Sequence, residues 1–413
     1  MPPRYRYAAH IVTVPASSWS VCAFIQSRRS LPLWAVLIIA SLLILPIYAP
    51  TLIRLFPLTN DVDETTSLGD DWLQYHQMAV NVLDEGLTIP AVQRDYSRPG
   101  GFGYIYFVAL TYAVLGVRSG AVYFVQGLLL VGATVTTAIL FRQRLSLPGA
   151  LLLTVALVVF LAVDMFRVYA FRLLSENLLV PLIAVLLWTV LKAESAGRLP
   201  WFVLAGAICG LCALTRPNAV FFGPAIASVI VLHPWHPQGF HRLKRAAAFI
   251  AAFAIVCSLL PLRNYAVTGD IGVWAALRPA GWQLPDAQGK PGVPAFDSLA
   301  ETVRFYGART AFAVGIPTFL EPTYRVRSHW LLMWAGVVLY LWFGGKRPRM
   351  FWERLLLTMA AVYLLPLVAV ASISNYGFRM VIPVVLLLLP LAVKGAELAL
   401  LASDRGATAN PTR

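Results

Sequence analysis

Leu145-Ser146-Leu147-Pro148-Gly149-Ala150-Leu151-Leu152-Leu153-Thr154-Val155-Ala156-Leu157-Val158-Val159-Phe160-Leu161-Ala162-Val163 runs from Arg144 to Asp164 without a charge. A helix rises about 1.5 Å per residue, so roughly 20 such residues cover the ~30 Å hydrocarbon layer of a bilayer. Lipid offers no hydrogen bonds to the backbone, so a run of this kind must close its own bonds as a helix. Residues 147–163 are the core of this span. Similar apolar runs cover 33–53, 120–141, 177–191, 200–215, 218–233, 246–262, 328–343, 355–372 and 381–400. Residues 101–117 are short for an eleventh and are expected to form a helix docked in the outer leaflet. The fold class is therefore all-α: a polytopic transmembrane bundle of about ten spans, with juxtamembrane helices in the first outer loop.

Composition excludes the soluble alternative. The 413 residues are 59% hydrophobic and 13% charged, against about 45–50% and about 25% for a soluble domain. That much apolar surface cannot be hidden in one water-soluble core and must face lipid. The first apolar run follows Arg28 and Arg29 and has no small-residue cleavage site, so it reads as a retained signal anchor. Cys209, Cys212 and Cys257 fall within spans, and with Cys22 they suggest no disulfide framework.

Threading ten spans from a cytoplasmic N-terminus puts 18 basic and four acidic residues on the inner side, the whole net charge of +14. This satisfies the positive-inside rule and predicts N-in, C-in topology in the inner (plasma) membrane. The outer side is neutral, yet all but one of its basic residues is arginine. Snorkelling and loop ion pairs account for single arginines of this kind. Together they suggest an anionic ligand at the outer face, because the planar guanidinium fork suits phosphate.

Two outer segments are long enough to carry chemistry, 54–119 and 264–326. The first holds eight of the 19 acidic residues, between Asp61 and Asp95. Within it, 71–83 reads as a helix with Trp72, Tyr75, Ala79, Val82 and Leu83 on one stripe, expected to lie on the membrane surface. An aspartate at its start caps free N–H groups, which explains one of Asp70 and Asp71 and leaves the other over. The chain thus divides into a cytoplasmic tail (1–32), a membrane module with the first outer loop (33–263), a second outer loop (264–326), and C-terminal helices with a short tail (327–413).

The order of motifs resembles a known group. After the anchor span come Asp71-x-x-x-Tyr75-x-x-x-Ala79, then Arg98-Pro99, Leu174-Ser175-Glu176, Gly206-x-x-x-Gly210, Leu214-Thr215-Arg216-Pro217 and Arg263-Asn264-Tyr265. This ordered set, over about 35–265, resembles the GT-C membrane glycosyltransferases. The nearest branch is the protein-mannosyltransferase-like one, families 39 and 83, which includes the lipid A aminoarabinose and galacturonosyl transferases. The resemblance implies a polyprenyl phosphate-linked sugar donor, a lipid, glycan or protein acceptor, and inverting transfer at the extracytoplasmic face. It implies Asp71 as the catalytic carboxylate and Arg98 as a donor phosphate contact. The family often has Asp-Glu where this chain has Asp71-Trp72. Asp70 then stands in for the second acid, and a divalent metal on Asp70 and Asp71 is left open as the one cofactor to consider.

The residues agree with that chemistry. A carboxylate on the attacking side takes the acceptor's proton, an anion steadies an oxocarbenium-like transition state, and arginines meet the charge growing on the leaving phosphate. Asp71, Asp70 and Glu176 are the catalytic candidates, and Arg98, Arg216, Arg263 and Arg379 the phosphate contacts. Tyr75, His76 and Asp164 are further candidates; for Asp164 the plain alternative is an ion pair with Arg167 or Arg172. The Gly206 and Gly210 pair reads as a close helix contact. Partners are the bilayer, donor and acceptor, with no nucleic acid. The competing readings are a flippase for lipid-linked sugars and a non-catalytic scaffold.

Overall fold

The computed structural model describes residues 71–86, 102–166, 172–233, 239–268, 328–345, 347–371 and 381–408, with scattered positions between 32 and 49 and at 170, 298, 300 and 301. Among the described residues every regular element is helical. In chain order they are α1 (Asp71–Glu85), α2 (Phe102–Leu115), α3 (Ser119–Phe141), α4 (Leu147–Phe160), which runs on as a π-helical turn (Leu161–Phe166), and α5 (Glu176–Ala196). There follow α6 (Leu199–Thr215), a 3-10 turn (Pro217–Phe221), α7 (Phe222–Leu232) and α8 (Gly239–Thr268). Last come α9 (Ser328–Gly344), α10 (Phe351–Ala371), a second 3-10 turn (Ile382–Val384) and α11 (Val385–Thr408).

Among the described residues, five stretches are long and apolar enough to cross a membrane: Ser119–Phe141, Leu147–Met165, Glu176–Ala196, Phe240–Ala266 and Ile382–Ser403. The runs expected to span at 200–215, 218–233 and 328–343 form shorter apolar helices, Leu199–Thr215, Pro217–Leu232 and Ser328–Gly344. Proline explains one case. Pro217 cannot share the α geometry of the residue before it, so α6 stops at Thr215 and α7 starts afresh beyond a 3-10 turn. The described positions of the first run are helical, and Ala35, Ile39 and Leu43, four residues apart, turn one stripe to the core.

Small residues set the helix spacing. A Cβ on Gly206 would overlap the carbonyl oxygen of Phe249, and one on Gly210 would reach Val256 Cβ at 2.6 Å. The predicted Gly206-x-x-x-Gly210 contact is thus the α6–α8 crossing, where backbones meet because lipid supplies no hydrophobic drive between helices. Gly336 of α9 and Gly395 of α11 make a second such crossing. The three cysteines among the described residues are free.

The amphipathic helix in the first loop is present, but its apolar stripe is taken up by protein. Tyr75, Ala79 and Val82 of α1 are buried with Tyr104, Ile105, Val108 and Tyr112 of α2, and with Tyr123 and Leu173. The short helix α2, whose mean polarity is low all round, supplies an apolar surface closer than the lipid does. Leu83, at the stripe's margin, stays exposed.

Candidate functional site

The site is built from the break at Arg216-Pro217. Proline drives Arg216 out of the helix, to φ −150° and ψ 120°. Its side chain then crosses to the first turn of α5. There Nη1 lies 3.0 Å from Glu176 Oε1 and donates to Ser175 Oγ at 2.8 Å. The Ser175 hydroxyl in turn donates to Glu176 Oε2 at 3.3 Å. Glu176 is 2% exposed and Arg216 11%. Charges this deep are tolerated only in pairs with further hydrogen bonds. Tyr363 of α10, fully buried and stacked on Phe222 at 5.5 Å, faces the same pair.

The first loop roofs this corner. A Cβ on Gly103 would come 2.9 Å from Thr215 Oγ1, so the start of α2 seats against the end of α6 only as glycine. The adjacent Phe102 ring lies 5.0 Å from the Arg263 guanidinium, a cation–π contact. Arg263 also donates to Asn264 Oδ1 at 3.0 Å. The start of α2 therefore lies between the ends of α6 and α8, with Arg216 on one side and Arg263 on the other.

Polar side chains tie that roof to α5. Tyr75 meets Tyr104 edge-on, ring centroids 4.9 Å apart. Tyr104 donates to Gln126 Oε1 at 3.0 Å, and Gln126 Nε2 donates to the carbonyls of Ala170 and Arg172 at 2.5 and 3.1 Å. Asn177, next to Glu176, donates to the same Arg172 carbonyl at 3.0 Å. His76 Nδ1 lies 2.8 Å from the Tyr112 hydroxyl. Burial pushes the Tyr112 phenol above its ordinary range. Tyr75 and His76 thus have packing and hydrogen-bonding roles in holding α1 on α2.

Asp164 sits in the π-helical turn at the same end and is 1% exposed. Its Oδ2 accepts from Trp330 Nε1 at 2.8 Å and lies 2.9 Å from His329 Nε2, both on the first turn of α9. The partners described for Asp164 are thus across the bundle, not the neighbouring arginine Arg172, which is exposed; Arg167 lies outside the described residues. A cavity of about 20 Å³ joins Asp164 to Val180, one turn beyond Glu176.

Three predicted site residues, Glu176, Arg216 and Arg263, therefore converge at one end of the bundle. Asp164 lies at the same end, and Tyr75 and His76 in the adjoining layer. Asp71 opens α1, one turn before Tyr75. The Asp71 side chain, Asp70, Arg98 and Arg379 lie outside the described residues. Among the described residues no three His, Cys, Asp or Glu side chains gather as metal ligands, and the metal reading of Asp70 and Asp71 concerns residues beyond these. Tyr363, His329, Trp330 and Gln126 were not singled out from sequence. Their signal was a polar group inside or opening an apolar run, Gln126 most plainly.

A comparison with curated proteins and one with solved structures gave no match. A comparison with protein families matched residues 98–261 to the model of the dolichyl-phosphate-mannose-protein mannosyltransferase family. The matched segment contains Gly103, Ser175, Glu176 and Arg216, and ends two residues before Arg263. Residues 98–261 are thus similar to a membrane glycosyltransferase domain of the dolichyl-phosphate-mannose-protein mannosyltransferase type, in a chain whose described residues include five helices long and apolar enough to cross a membrane.

Proposed function

We propose that the chain transfers a sugar from a polyprenyl phosphate to a lipid, glycan or protein acceptor at the extracytoplasmic face, with inversion at the anomeric carbon. The observation that carries this reading is the convergence of Arg216, Glu176 and Arg263 at one bundle end, beside the start of α2. A polyprenyl tail lying in lipid would present its phosphate at that depth.

In this reading Asp71 accepts the proton of an acceptor hydroxyl. The acceptor oxygen bonds to the anomeric carbon as the bond from that carbon to the phosphate oxygen breaks. The polyprenyl phosphate leaves with both electrons of that bond. Arg98, Arg216, Arg263 and Arg379 meet the charge that grows on it. Glu176 and Ser175 hold the Arg216 fork in one orientation, so no reorganisation is needed as charge develops. Asp70 stands beside Asp71 as the second acid, and the pair offers carboxylate oxygens of the kind a divalent ion takes. Acceptor choice falls to 264–326, which lies wholly outside the matched domain.

The test uses purified protein in nanodiscs, a panel of polyprenyl phosphate sugars and membrane lipid extract, with free polyprenyl phosphate followed by mass spectrometry. Release that disappears in Asp71→Asn, with folding intact, is expected. Full turnover by Asp71→Asn would remove the base assignment. No release from any donor, with lipid-linked sugar crossing the bilayer instead, would make the protein a flippase.

A further inference from the structure

At the opposite end of the bundle, about 18 Å from Tyr363 along α10, the connection Gly345–Met350 and the start of α10 meet the end of α7. Between them lies a cleft of about 450 Å³, lined by Ser228, Leu232, Arg347, Arg349, Arg354 and Thr358, among others. Three guanidinium groups thus line one hollow, with a single carboxylate among the described residues, Glu353, beside them.

That carboxylate is committed to Arg347. Glu353 is fully buried; its Oε1 takes Arg347 and its Oε2 takes the backbone N–H of Met350 at 2.9 Å. Arg349 and Arg354 have no carboxylate partner among the described residues. The Nε atoms of Arg349 and Arg347 are buried without a hydrogen-bond partner among the described residues. A buried guanidinium nitrogen left unpaired costs on the order of 1–3 kcal/mol, more when charged. The positive-inside tendency alone explains arginines on an open surface, where water satisfies each N–H. It does not explain three guanidinium groups gathered at one cleft, two of them with a buried Nε that finds no partner among the described residues.

Exposed apolar side chains at this end of the bundle say which ligand fits. Leu232 is 71% exposed and Met350 52%, and Trp342, on the last turn of α9, is 73% exposed. Exposed apolar and aromatic side chains at helix ends are the residues that meet acyl chains at the bilayer interface. We propose that this cleft holds the phosphate of an anionic bilayer lipid, with Arg349 and Arg354 as its forks and Leu232 and Met350 under its chains. This site stands apart from the transferase reading, since none of its residues belongs to the Arg216 site.

The test is native mass spectrometry of the full chain released from nanodiscs of phosphatidylcholine mixed with phosphatidylglycerol, with thermal stability measured in parallel. Wild type is expected to retain phosphatidylglycerol in preference to phosphatidylcholine, and to gain stability from it. Arg349→Gln/Arg354→Gln is expected to lose roughly tenfold in retention per guanidinium, while its stability in pure phosphatidylcholine does not fall. Arg349→Lys/Arg354→Lys keeps the charge without the fork and should fall between the two; it carries the test if the Gln pair fails to fold. Equal retention in all three proteins, or no preference in wild type, would overturn the proposal. Stabilisation by inorganic phosphate alone, without retained lipid, would overturn the lipid assignment in favour of a free phosphate site.

Discussion

Glu176→Gln separates the two things that the Arg216–Glu176 pair can do. The substitution keeps shape and removes charge, leaving a guanidinium 11% exposed without its carboxylate. Removing one partner of a buried pair costs about 3–5 kcal/mol, whereas replacing both with neutral groups is often close to neutral. A chain of this length loses roughly 2 °C per kcal/mol, so Glu176→Gln is expected to melt on the order of 5–10 °C below wild type. Glu176→Gln/Arg216→Met should recover most of that loss. Turnover should not recover with it. If Arg216 meets the leaving phosphate, its removal costs about 10²–10³ in kcat, the magnitude for one preorganised donor. The assay pairs scanning fluorimetry with polyprenyl phosphate release from the same nanodisc samples. A double variant that regains both stability and turnover would refute the phosphate role and leave the pair as a helix clamp.

Two further outcomes follow from the packing. Gly206→Ala places a Cβ against the Phe249 carbonyl, and overpacking of this kind costs about 1–3 kcal/mol. Gly132→Ala, with nothing within 4 Å of the new Cβ, is the control. Equal melting temperatures for the two would contradict the close α6–α8 crossing. Tyr112 carries a pH signature. Burial raises its phenol, so above about pH 10 the unfolded state has lost a proton that the folded state still holds. Stability therefore falls as pH rises past that point. Tyr112→Phe should be slightly less stable at neutral pH and show a shallower alkaline loss; an unchanged alkaline slope would place the effect elsewhere.

Much of this protein was determined by its sequence. Runs such as 147–163 had to be helices, because no other backbone geometry satisfies itself in lipid. The helix beginning at Asp71, the Gly206-x-x-x-Gly210 contact and the break at Arg216-Pro217 follow from local rules of capping, size and proline geometry. The ordered motifs were enough to point to the glycosyltransferase domain that the family comparison finds at 98–261. What local rules could not supply was partnership across long sequence separations. Nothing near Asp164 announces Trp330 and His329 as its donors, more than 160 residues away. Nothing in α1 says whether its apolar stripe meets lipid or the face of α2, since both are apolar and periodicity cannot tell them apart. The same holds for Arg216: proline freed it from its helix, but only the packing of α6 beside α5 put Ser175 and Glu176 within its reach. Backbone hydrogen bonding in lipid is a local demand that every run meets alone, whereas a buried charge must find its partner wherever the bundle brings one.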